Sequence, residues 1–147
     1  MCIDLGKLKF VHFVVAIAAV SALEIGLVLA GLLSPLSEMS AGNLAFTLLL
    51  FALLFATGWR FSQDRFKDSA GKGIAASFAA YLMVVLGVFA GRSIQRPVLG
   101  VYVPSEDALY LLFLVNLFLN LVLGAVLVSA GAFLGRRFRK KSSNGKR

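Results

Sequence analysis

Apolar residues come in four long runs separated by shorter polar segments. The first extends from about Phe10 to Leu33 and contains two ionisable residues, His12 and Glu24. The second covers about Leu44 to Trp59, the third about Gly73 to Gly91, and the fourth about Ala108 to Gly135. None alternates with the period of two expected of a barrel strand. Each is near the roughly 20 residues a helix needs to cross a hydrocarbon core of about 30 Å. Backbone groups in lipid must be satisfied within their own segment, which selects helix for all four. The second run is the shortest, and Trp59 and Arg60 at its end can reach the interface. The fourth is the longest and is expected to tilt or protrude.

Composition removes the soluble alternatives. The chain has 147 residues, 59% of them hydrophobic and only 15% charged, with a mean hydropathy of +0.88. A soluble chain this short cannot hide so much apolar surface, and a disordered one is polar and charge-rich. The expected fold is an all-α integral membrane protein, a four-transmembrane-helix bundle with antiparallel neighbours. Residues 1–135 form one membrane domain, and residues 136–147 are expected to be a disordered basic tail. Lys7 and Lys9 ahead of the first run resemble the start of a signal peptide. The apolar stretch is twice the usual length for one, so a retained anchor is expected.

Charge fixes the predicted orientation. Lys7 and Lys9 precede the first span, and Arg60, Arg65, Lys67 and Lys72 separate the second from the third. Seven of the fifteen basic residues lie in the last twelve positions. Only Arg92 and Arg96 fall on the other side, offset by Glu106 and Asp107. Thirteen basic residues against two predict both termini inside (N-in/C-in) in a cell (cytoplasmic) membrane. A net charge of +8 invites a nucleic-acid partner. Its concentration beside spans argues instead for anionic lipid headgroups. Arg136, Arg137, Arg139, Lys140 and Lys141 are the residues expected to meet them.

The loop from Ser34 to Asn43 is short, carries Pro35 and predicts a helical hairpin. The link from Arg60 to Gly71 mixes Phe61 and Phe66 with Arg65 and Lys67. It reads equally as a segment at headgroup level or as a solvated turn. The loop from Arg92 to Asp107 holds Val98, Leu99, Val101, Tyr102 and Val103, and is expected to fold back onto the bundle. Ser105 before Glu106 and Asp107 reads as a helix N-cap with acidic first-turn residues.

Small residues form stripes on the last two helices. Gly73, Ser77, Ala80, Gly87 and Gly91 recur at helical spacing in the third, and Gly124, Gly131 and Gly135 in the fourth. Such stripes let backbones approach closely in lipid. Packing of the third helix on the fourth is favoured over self-association, because four helices offer enough faces. The endings Gly58-Trp59-Arg60-Phe61 and Gly135-Arg136-Arg137-Phe138 echo each other. Spans commonly end in arginine and aromatics, which accounts for the echo without an internal repeat.

Glu24 is the one acidic residue inside a span. At about 1.5 Å per residue it lies roughly 14 Å below Leu33. Asn116 and Asn120 lie about 12 and 18 Å below Ala108, on one face of the fourth helix. Matching depth predicts an intramembrane polar cluster of Glu24, Asn116 and Asn120 with Ser21. It would either fix the register of the first and fourth helices or form an ion- or proton-binding site.

Catalytic chemistry is not expected. Cys2 and His12 are the lone cysteine and histidine, so neither an internal disulfide nor a Cys/His metal cluster can be assembled. No nucleophile–base pair or phosphate-binding loop is present, and no cofactor is implied. Two functions fit. One is a non-catalytic accessory or interaction subunit, as a homo-oligomer or within a larger membrane complex. The other is a small oligomeric transporter or channel that uses Glu24 for coupling.

Overall fold

The computed structural model describes residues 9–38, 40–96, 98–99 and 106–144, without the side chains of 106, 107 and 139–144. Among the described residues there are four helices: α1 (Phe10–Leu29), α2 (Ala41–Arg60), α3 (Phe66–Ser93) and α4 (Glu106–Asn144). All four are long and apolar enough to cross a membrane. With four such helices and no strand among the described residues, the chain has the make-up of a multi-pass membrane protein.

Local chemistry sets the helix ends. His12 Nδ1 accepts the Lys9 backbone N–H at 3.2 Å, so the lone histidine serves as a cap at the start of α1. α1 stops short of the Leu33 expected for it. Gly31 adopts φ 77°, a left-handed conformation that turns the chain, and Pro35 follows. α2 begins before Leu44, because the Ser40 hydroxyl accepts the Asn43 backbone N–H at 3.2 Å. α3 begins at Phe66 rather than Gly73, so the expected link shrinks to a turn over 61–65. α4 begins beside the predicted cap, although Ser105 lies outside the described residues. Its helix runs on to Asn144, through most of the segment expected to be a disordered tail. Arginine and lysine are good helix formers and suit the negative end of a helix dipole.

α1 packs on α2 and α3, and α4 packs on the same two, so α1 and α4 occupy opposite corners and scarcely meet. Ile17, Leu54, Ala76 and Val128, one from each helix, form one core cluster. Val28, Val88 and Val98 form a second, covered by Leu33, Leu36, Leu99 and Phe113.

Both ends of the bundle are tied down. At the basic end Phe10 and Phe13 of α1 meet the Phe61 ring edge-on, with centroids 6.2 and 6.1 Å away. Lys72 of α3 pairs with Asp64 and lies 4.2 Å from the Phe61 centroid. Arg136 of α4 donates from Nε to the Ser62 carbonyl at 2.6 Å and from Nη2 to the Asp64 carbonyl. One short turn thus gathers three helices. At the opposite end Asn43 Nδ2 faces the carbonyls of Ser34, Pro35 and Glu38 at 3.2, 3.0 and 2.9 Å. The Leu36 N–H donates to the Val98 carbonyl at 2.8 Å. Val98 is 2% exposed, so the described part of the loop after α3 folds back as expected.

Candidate functional site

The buried face of α1 carries Phe13, Ile17, Ser21, Glu24, Ile25 and Val28. Ser21 and Glu24 are three residues apart, so they share that face. They sit between Ile17 of one apolar cluster and Val28 of the other. Glu24 is 8% exposed and makes no hydrogen bond or ion pair with any described residue. The Ser21 hydroxyl is likewise buried without a partner there. Two adjacent polar groups therefore interrupt the apolar interior of the bundle.

The expected partners lie elsewhere. Asn116 Nδ2 donates to the Leu112 carbonyl at 2.9 Å, and Asn120 Nδ2 to the Asn116 carbonyl at 2.8 Å. Both amides are bonded to their own helix. Asn116 is half-buried, and Asn120 is exposed on the outside of the bundle, flanked by exposed Leu119 and Leu123. The predicted four-residue cluster is thus corrected to two separate features, Ser21 and Glu24 inside and Asn120 outside. Equal depth along the axis did not specify the angle around it, and α1 and α4 stand at opposite corners.

The small-residue stripes are divided among several contacts. Gly73 and Ser77 of α3 meet Gly124 of α4, where a Cβ on Gly73 would lie 2.6 Å from the Gly124 carbonyl carbon. Gly131 and Gly135 face α2 and the turn after it, at Phe55, Trp59 and Ser62. Gly87 faces Ile25 of α1, and Gly91 faces the chain at Arg96 and Val98. Ala80 packs against the Ile17 cluster. The two glycine pairs at four-residue spacing do not face each other.

Four residues that matter to the bundle gave a weak signal in the sequence. Gly58 of α2 lies against α4, where a Cβ would fall 2.9 Å from the Ala132 nitrogen. Its position inside a short span was the available clue. Asn43 organises the loop before its own helix. Tyr81 is 8% exposed and donates its phenolic hydrogen to the Phe113 carbonyl at 2.6 Å, since a phenol inside a span needs an acceptor. Arg96 donates from Nη1 to the Leu29 carbonyl at 3.0 Å, placing a cation at the C-terminus of α1. Gly31 makes room for it, because a Cβ there would press on the guanidinium.

Among the headgroup candidates, Arg136 is partly engaged with the turn carbonyls and Arg137 is exposed. The side chains of Arg139, Lys140 and Lys141 lie outside the described residues. Comparison with protein families, curated proteins and solved structures finds no match for this chain.

Proposed function

We propose that this protein is a small non-catalytic accessory or interaction subunit of a membrane assembly. Its partner is a transmembrane helix, from a second copy or another chain, docked on the outer face of α4. The observation that carries this reading is Asn120, a polar side chain exposed on the outer face of α4 between exposed Leu119 and Leu123. In the most apolar 18-residue stretch of α4 only 11% of residues are buried, against 22% in that of α2 and 33% in those of α1 and α3. One amide hydrogen of Asn120 is used within α4, leaving a second donor and the carbonyl oxygen for a neighbour. A polar group facing acyl chains is costly, and a partner helix removes that cost. The small-residue contacts inside the bundle support α4 as the docking face, since they are already occupied there.

The thirteen-to-two division of basic residues supports a cell-membrane location with both termini cytoplasmic and neighbouring helices antiparallel. The basic end then faces anionic headgroups. Nucleic acid is not a partner in this reading.

Size in mild detergent tests the docking face. The wild type should migrate as an assembly, and Asn120→Leu should weaken it about threefold, the effect of an average interhelical hydrogen bond of ~0.6 kcal/mol. Asn120→Gln should retain most of it. A monomeric wild type, or an assembly indifferent to Asn120, would overturn the reading.

A second reading, a transporter or channel coupled through Glu24, is favoured by the burial of this carboxyl beside the Ser21 hydroxyl, which has no partner among the described residues. In liposomes Glu24→Gln should abolish proton- or ion-dependent flux under that reading. Under the accessory reading it should leave membrane levels and assembly nearly unchanged.

A further inference from the structure

We infer that the groove between the start of α3 and the Ser129–Arg136 stretch of α4 holds the phosphate and upper acyl chain of a single anionic phospholipid. The groove is about 260 Å³ and is lined by Phe66, Ser129, Ala130, Phe133 and Arg136. Its chemistry is graded along its length. Arg136 stands at the basic end, and Ser129 lies seven residues earlier on α4, about 10 Å towards the middle of the bundle. Between them Phe133 and, from α3, Phe66 present rings that are 64% and 68% exposed. This sequence of cation, aromatic walls and small residues follows a phospholipid from phosphate to upper acyl chain.

Arg136 is suited to the phosphate end. The turn carbonyls of Ser62 and Asp64 take two of its five donors and hold the guanidinium in place. The remaining donors lie on a residue that lines the groove, and a planar guanidinium binds phosphate oxygens well. The carboxylate of Asp64 is paired with Lys72, which removes one local source of repulsion. Asp68 in the first turn of α3 is exposed, and Lys67 and Arg137 keep the neighbourhood positive. Deeper in the groove, Ser129 and Ala130 are small and leave room for an acyl chain. A free anion would leave the exposed Phe66 and Phe133 walls uncovered, whereas a lipid covers them.

The inference deepens the headgroup contact proposed for the basic end by separating one built site from the diffuse attraction of the terminal cations. The full chain in mild detergent, titrated with phosphatidylglycerol or phosphatidylcholine and read by native mass spectrometry, tests it. One phosphatidylglycerol per chain should be retained about fivefold more tightly than phosphatidylcholine, the discrimination one basic side chain gives at a membrane surface. Ala130→Trp fills the groove without touching Arg136 and should remove that preference. Ala52→Trp, at an exposed position on α2, should retain it. Truncation after Phe138 should keep the tight lipid while lowering salt-sensitive binding to anionic vesicles. Equal retention of the two lipids, or an Ala130→Trp protein that binds as the wild type does, would overturn the groove. So would displacement of the lipid by inorganic phosphate alone. Loss of the tight lipid on truncation would return the effect to the terminal cations and also overturn it.

Discussion

α4 and α1 are seated against the same two helices by different means. α4 approaches through backbone: Gly58 of α2 and Gly73 of α3 lie against its main chain, and its own Gly124 and Gly131 return the approach. α1 approaches largely through side chains, with Phe13, Ile17, Ile25 and Val28 filling the space. Backbone contacts have no spare rotamers, so an added carbon must displace a helix. Side-chain contacts can repack. The buried polar pair Ser21 and Glu24 sits in the more adaptable of the two interfaces. The exposed Asn120 sits on the helix whose inner face is held most tightly, as suits a docking platform.

The largest expected effect comes from breaking the glycine seat. Gly58→Val should destabilise the bundle by about 3 kcal/mol, through overpacking against the α4 backbone. A fall in the detergent unfolding temperature would measure it, and a wild-type temperature would show that α4 can shift freely. An intermediate loss is expected at the end of α1. Arg96→Gln removes the cation at the Leu29 carbonyl and should cost about 1 kcal/mol. Faster hydrogen exchange over the last turn of α1, with α4 unchanged, is the corresponding local readout. The smallest effect sharpens the contrast on α1 itself. Nothing lies within 4 Å of a Cβ built on Gly26. Gly26→Ala should therefore be neutral or stabilising by up to about 1 kcal/mol. A destabilisation as large as that of Gly58→Val would erase the distinction between the two seats.

Hydropathy alone located the four spans, and helical periodicity located the small residues that pack. The burial of Glu24 also followed from its chemistry, because a carboxyl inside a span turns inward. Its companions could not be read the same way. A rise of about 1.5 Å per residue gives depth from sequence position, whereas the corner a helix occupies depends on which faces its neighbours have already filled. Asn116 and Asn120 therefore bond to their own helix, away from the corner that Glu24 occupies. Arg96 was obscure for a related reason. Counted as a loop charge it informs orientation, but its bond to Leu29 joins positions 67 residues apart in the chain. The start of α3 was missed because Phe66 to Lys72 is too charged to register as a span, although nothing in it prevents helix formation.

Because α4 closes both glycine-lined contacts and is made after α1, α2 and α3, the bundle stays unfinished until the fourth helix has been synthesised. A product cut short before Glu106 would leave the Gly58 and Gly73 surfaces open to lipid. We expect such fragments to be cleared quickly by membrane proteases, while chains that end just past Phe138 persist.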